Sequence, residues 1–199
     1  AAYKKLINFG NSQKSDKTHT EIILALPADT KEKHIESLRF GIDNNVKHVR
    51  MHQAILLTGT EMASIAARKK YALKTKFRVR PGCVGNYPIL DKSHAVAEIE
   101  EIIVGNNTMT HDDYVDSRVM DLIVQTFFNN FLFEEIFAML KSIGISPLDC
   151  LIYLKNKEKL HTKKIKKIFA DFVKETNNLF DTWEEANTHM HSPGVVEKY

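Results

Sequence analysis

Two cysteines in 199 residues, Cys83 and Cys150, limit the chemistry before anything else is read. They are far apart and isolated from other ligand types, and two thiolates cannot supply the three or four that an iron–sulfur cluster takes. A disulfide between them is not expected in a reducing compartment. Long apolar runs are missing as well: there is no stretch of about 18 apolar residues and no signal peptide, which predicts no membrane partner and a cytoplasmic location. Neither sign of charge is in large excess, since the net charge is +3 with 27% charged residues. That balance points to neither nucleic acid nor a membrane surface. Ser12, Ser15, Ser64 and Ser93 stand in no Gly-x-Ser-x-Gly context, and no Walker loop or dinucleotide fingerprint is present. His48, His52, His94, His111, His189 and His191 are scattered, and His189-Met190-His191 lacks the carboxylate or cysteine that would complete a metal site. No repeat or low-complexity segment occurs. What is present is 43% hydrophobic residues, enough to bury a core.

The organisation changes along the chain. Tyr3–Phe9 reads as a helix ended by Gly10-Asn11, with a polar loop over Ser12–Lys17. Glu21–Leu26 reads as a buried strand stopping at Pro27, and a helix follows, opened by Asp29 or Thr30. Asp29 with Glu32 has capping-box spacing, and Ile35, Leu38 and Ile42 give the helix one buried face. Asn44-Asn45 tolerate the left-handed backbone that ends it. Val46–Leu57 is the next strand, and Gly59-Thr60-Glu61 starts a helix to about Lys70. Strand, helix, strand, helix at this spacing argues for parallel βα units. Beyond them, Lys76–Arg80 alternates like an edge strand that stops at Pro81-Gly82, and Val96–Val104 is a second extended candidate, where Glu98, Glu100 and Glu101 also permit a helix. A helix is expected from Thr110 to Gly144, another behind Ser146-Pro147, and a last one from about Thr162 that carries Ile165, Ile168, Phe169, Phe172, Leu179 and Trp183 inward. The fold class expected is therefore α/β: βα units over residues 1–75, an extension with short strands over 76–107, and a helical C-terminal domain over 108–199.

Two places are unusual for structural residues alone. Arg50, His52 and Gln53 interrupt an otherwise apolar strand, and a strand this polar in mid-run is expected where one face lines a site. Period-2 alternation puts Arg50 and His52 on one face and Met51 and Gln53 on the other. Glu21 opens an otherwise apolar strand whose carboxyl end is where α/β folds build their sites. By contrast, of the eight lysines of Lys155–Lys174, Lys163, Lys164, Lys166 and Lys167 flank Ile165, Ile168 and Phe169 as the wet side of an amphipathic helix does, without the interleaved aromatics that base stacking needs.

The stretch Thr18–Thr30, Thr-His-Thr-Glu-Ile-Ile-Leu-Ala-Leu-Pro-Ala-Asp-Thr, resembles a late-barrel strand of radical S-adenosylmethionine enzymes, where a form close to Ser-Glu-Ile-Ile-Leu-Gly-Leu-Pro-Gly-Asp-Thr is typical. The resemblance continues through Arg50–Glu61. Glu98–Arg118 is similar to the post-barrel extension of a subgroup that carries a cobalamin-binding domain. The resemblance implies the rear part of a TIM-like (β/α) barrel. It also implies S-adenosylmethionine and a 4Fe–4S cluster as cofactors of a parent enzyme, with cobalamin as a further one and methyl transfer as a candidate reaction. In the family a Cys-x3-Cys-x2-Cys loop holds the cluster that cleaves S-adenosylmethionine to a 5′-deoxyadenosyl radical. This chain has no such motif, so the expected partners are a small-molecule substrate and a missing N-terminal part of the same enzyme. The start without Met and the end at Tyr199 agree with that expectation. The resemblance assigns Glu21, Ala25, Pro27 and Gln53 to the cofactor and Arg50 and His52 to the substrate. It departs from the family at Ala25 and Ala28, where glycines are usual. The rival reading is a non-enzymatic helical module for protein interaction or nucleic-acid binding.

Overall fold

The computed structural model describes residues 2–12, 18–90, 92–192 and 194–196, so most of the polar loop expected at Ser12–Lys17 lies outside the described residues. The chain is a mixed α/β protein. It divides into two compact units, one of Ala1–Leu24, Asp29–His52 and Asp112–Asn177, the other of Ala25–Ala28, Gln53–His111 and Asn178–Tyr199. Among the described residues the strands form two two-stranded sheets and no closed barrel.

In the first unit, α1 (Ala2–Ser12) precedes β1 (His19–Leu24), α2 (Lys31–Asp43) and β2 (His48–Gln53). The carbonyl of Thr18 accepts the N–H groups of Lys47 at 3.1 Å and His48 at 3.0 Å, so both strands are entered at the same end and run the same way. The start of α2 differs in detail from the expected capping box. Thr30, in the extended conformation an N-cap requires, accepts the Lys33 N–H at 3.2 Å, while Asp29 takes the Thr30 N–H at 2.9 Å. Leu38 and Ile42 are buried on its inner face, and Asn45, at φ 63°, supplies the left-handed residue after it.

The long helix expected to reach Gly144 is broken. α4 (His111–Ile123) widens into a π-helical turn over Val124–Phe128, and α5 (Glu134–Ser142) starts afresh. The break has a visible cause. Asn129 spends its side chain on the backbone of Val49, and Phe131 takes φ 61°, which no helix allows. α6 (Pro147–Asn156) begins as expected, with the Ser146 hydroxyl accepting the Leu148 N–H and Pro147 in the first turn. α7 (Lys163–Thr176) is capped by Thr162 but stops at Asn177, short of the expected run. Trp183 instead opens α8 (Trp183–Met190) behind a Thr182–Glu185 capping box, and both Trp183, at 47%, and Ile168, at 56%, are exposed rather than turned inward. Val49, Leu38, Ile42, Met120, Ile123, Val124, Leu148 and Leu151 form the core of the first unit, with Phe169, Phe172 and Val173 of α7 against it. Lys163, Lys164, Lys166 and Lys167 are exposed.

The second unit is built on a ribbon of β3 (Lys74–Ile89) and β4 (Lys92–Gly105), antiparallel. The expected stop at Pro81-Gly82 is a bulge: Val79 pairs with Ile99 and Val84 with Ala97, so Arg80–Cys83 stand opposite Glu98. A proline without an N–H is accommodated at such a bulge at no cost to the ladder. Ile55 bridges Ile102 on the other edge of β4, and Phe77 exchanges backbone hydrogen bonds with Phe180. Val79, Met190 and Val195 form a small core. The helix expected from Gly59 starts later, as α3 (Ile65–Tyr71), because Ser64 provides the cap for Ala67 N–H. Arg68 on α3 grips Glu101 by two bonds of 2.5 and 2.6 Å, and this guanidinium holds the Glu101 carboxyl below its ordinary range.

Candidate functional site

Alternation in β1 turns Ile22 and Leu24 inward and leaves His19, Glu21 and Ile23 exposed. The same rule in β2 buries Val49 and leaves Arg50 and His52 exposed, with Met51 and Gln53 partly buried. One face of the strand pair is therefore packed on the core, and the other carries a carboxylate, a guanidinium and two imidazoles. Glu21 Oε1 lies 3.6 Å from His52 Nε2, each side chain being about half exposed. The structure thus brings together Glu21 and His52, with Arg50 on the same face. Such a face offers hydrogen-bond acceptors and donors to a polar ligand.

Ala25, Pro27 and Gln53 belong to the second unit. Ala25 is fully buried and sits at φ 67°, and Ala28 sits at φ 65°. The left-handed region costs a residue with a Cβ about 1–2 kcal/mol, which is why glycine usually fills it. Two such alanines within four residues mark a turn whose shape is imposed from outside. The clamp is Asn106, buried at 6% exposure. Its Nδ2 donates to the carbonyls of Ala25 at 3.3 Å and Leu26 at 3.1 Å. Gln53 takes a hydrogen bond from Arg78, whose Nε also donates to Glu100 at 2.9 Å. Arg80 reaches Glu100 at 3.4 Å and Glu98 at 2.9 Å, so Gln53 ends a ladder of alternating charges on the ribbon.

Glycine at Ala28, which is exposed, is expected to stabilise the protein by about 0.5–1 kcal/mol, the relieved strain less the added freedom of the unfolded chain. At Ala25 the gain is expected to be near zero, because the buried methyl contributes about 0.8 kcal/mol that glycine forfeits. Urea unfolding of the two single variants checks both, and a destabilised Ala28→Gly would contradict the strain.

Residues that the sequence reading passed over include Asn106, Asn129 and the pair His34–Asp121. His34 Nε2 lies 3.1 Å from Asp121 Oδ1, with side chains 0% and 7% exposed. The signal was available, since His34 precedes Leu38 and Ile42 at helical spacing, and Asp121 follows Tyr114 and Ser117 on the buried face of α4. Burial pushes the Asp121 carboxyl up, against the lowering effect of the His34 hydrogen bond. Among the described residues no group of three or more His, Cys, Asp or Glu side chains is placed to hold a metal ion. Cys83 and Cys150 are both free thiols. No single helix among the described residues is long and apolar enough to cross a membrane. No model of a known protein family matches the chain, and no curated protein matches it.

Proposed function

We propose that this chain is the rear portion of a radical S-adenosylmethionine enzyme, in which β1–α2–β2 is part of a TIM-like (β/α) barrel. The observation that carries the reading is the backbone at Ala25 and Ala28. Both hold the left-handed conformation, φ 67° and 65°, at the two positions where the resembled family has glycine. The two positions where the resembled family has glycine are thus two positions where this backbone favours it. Support also comes from the β1–β2 face, which turns Glu21, Arg50 and His52 away from the core as a barrel strand turns residues toward a lumen. Glu21, Ala25, Pro27 and Gln53 are the residues proposed for the cofactor, and Arg50 and His52 for a small-molecule substrate.

The two cysteines do not fit a 4Fe–4S site, so the cluster ligands belong to the missing part of the enzyme and this fragment is not catalytic alone. When bound, the cluster supplies the electron that cleaves S-adenosylmethionine. The residues here hold and orient the cofactor and substrate. The reaction proposed is methyl transfer linked to cobalamin, and the location is cytoplasmic.

The first test is the coding sequence upstream of Ala1, where a Cys-x3-Cys-x2-Cys motif is expected within roughly 200 residues, the span of the remaining barrel. An upstream frame without it overturns the reading. The second test uses the anaerobically reconstituted full polypeptide with S-adenosylmethionine and dithionite, following 5′-deoxyadenosine. Glu21→Gln and Gln53→Ala are expected to weaken cofactor binding about ten- to a hundredfold, the worth of a positioned hydrogen bond to a charged group, with an unchanged cluster spectrum. Lys164→Ala and Lys167→Ala, on the exposed face of α7, should change little.

A further inference from the structure

We infer that Asn106 is the positioning residue that sets the cofactor-facing turn Ala25–Ala28, an inference that rests on the reading above. Asn106 lies between the end of β4 at Gly105 and the start of α4 at His111. In the structure Asn106 does more than end β4. Its Oδ1 accepts three hydrogen bonds, from Thr108 N–H at 2.8 Å, Thr108 Oγ1 at 2.9 Å and Met109 N–H at 2.9 Å. Its own N–H donates to the Met109 carbonyl at 2.8 Å. With every donor gathered on Oδ1, the orientation of the carboxamide is fixed and Nδ2 has to face the other way. There it meets the carbonyls of Ala25 and Leu26.

Peptide planarity makes these two bonds more than local. The Ala25 carbonyl and the Leu26 N–H share one rigid plane, so holding the oxygen toward Asn106 directs that N–H away from it. The plane of the Leu26–Pro27 peptide is held in the same way. Ala25 and Ala28 on either side occupy a conformation that alanine does not choose by itself, and strain of this kind persists only where the surroundings over-determine it. Few side chains could replace Asn106. Aspartate keeps the three-bond acceptor but sets a carboxylate against two carbonyls, leucine makes no bond, and glutamine is longer by a methylene. Thr18–Thr30 and Glu98–Arg118, both of which resemble the family, therefore meet at this one carboxamide.

The test uses the full polypeptide with S-adenosylhomocysteine as the probe, so that no cluster chemistry is needed. Affinity is read by calorimetry, and hydrogen exchange by mass spectrometry over residues 26–29. Asn106→Asp is expected to weaken binding about tenfold or more and to raise exchange in the turn selectively. Adding Ala25→Gly and Ala28→Gly should recover most of the loss, because glycine takes up the turn without the clamp. A merely structural role predicts general destabilisation that the glycines do not recover, and that outcome overturns the inference. Wild-type affinity in Asn106→Asp overturns it while leaving the proposed function standing. A wild-type polypeptide that fails to bind the probe overturns the proposed function and this inference with it. If Asn106→Asp does not fold, Asn106→Ser, which keeps a shorter hydroxyl at the position, is read in the same assays against the same outcomes.

Discussion

His34→Ala is expected to destabilise the protein by about 3–5 kcal/mol at neutral pH, the usual loss when one member of a buried pair is removed. The imidazole is fully buried, and Asp121 Oδ1 depends on it for its hydrogen bond. Asp121 Oδ2 and His34 Nδ1 are already without hydrogen-bond partners, and the remaining charge that acts on the carboxylate is that of Arg118, whose Nε is likewise buried without a hydrogen-bond partner. The loss should be smaller in acid, and the sign follows from burial. Because burial raises the Asp121 carboxyl above its ordinary value of 3.8, its contribution to stability is fully present below that value and is lost as pH rises through the raised one. Without His34, less opposes burial and the carboxyl rises further, so the variant should regain stability as pH falls through the raised value. His34→Leu combined with Asp121→Leu should restore most of the loss, since a buried pair replaced by apolar side chains is often neutral. Urea unfolding at two pH values reads all three variants. A loss below about 1 kcal/mol for His34→Ala would show that water reaches the pair.

Asn129→Ala should remove about 2–4 kcal/mol, from two buried backbone groups left without partners at about 1–3 kcal/mol each, partly relieved by relaxation. Its side chain accepts the Val49 N–H at 3.0 Å and donates to the Val49 carbonyl at 2.9 Å. In effect one carboxamide completes the ladder of β2 where no strand lies alongside. Val49 is itself 3% exposed, so water cannot substitute. The specific readout is the Val49 amide, whose hydrogen exchange should accelerate beyond the change expected from global stability. Retained protection there would contradict the assignment.

Both residues show where the sequence was readable and where it was not. β1–α2–β2 was legible because its signals are local: an apolar run stopped by Pro27, a cap at Thr30, apolar residues at helical spacing, and a left-handed Asn45. The faces of β2 were legible too, since alternation alone separates Arg50 and His52 from Met51 and Gln53. The break after α4 was not, because it is made by a contact between Asn129 and Val49, 80 positions apart. Tyr114, Leu122 and Phe127 at near-helical spacing give no hint of it. The end of α7 failed for a related reason, with Trp183 read as inward-facing when Thr182 and Glu185 were forming a new cap. The site follows the same division. Glu21, Ala25, Pro27 and Gln53 came from wording, whereas Asn106 is visible only when the turn and the end of β4 are seen together.

The bulge in the β3–β4 ribbon also fixes a parity. Val79 and Val84 are five positions apart and would face opposite ways in an unbroken strand, yet their partners Ile99 and Ala97 share a face. Setting Arg80–Cys83 against the single residue Glu98 inserts an odd number of residues, which returns Val84 to the side of Val79 and lets both join Met190 and Val195. Everything beyond the bulge inherits that count. Gaining or losing one residue there would not merely shorten the arm; it would turn it over, sending Tyr87 and Ile89 to the side now held by Asn86 and Pro88. A change of two residues would leave every side chain on its present face. Length variation in this segment is therefore tolerable only in even steps.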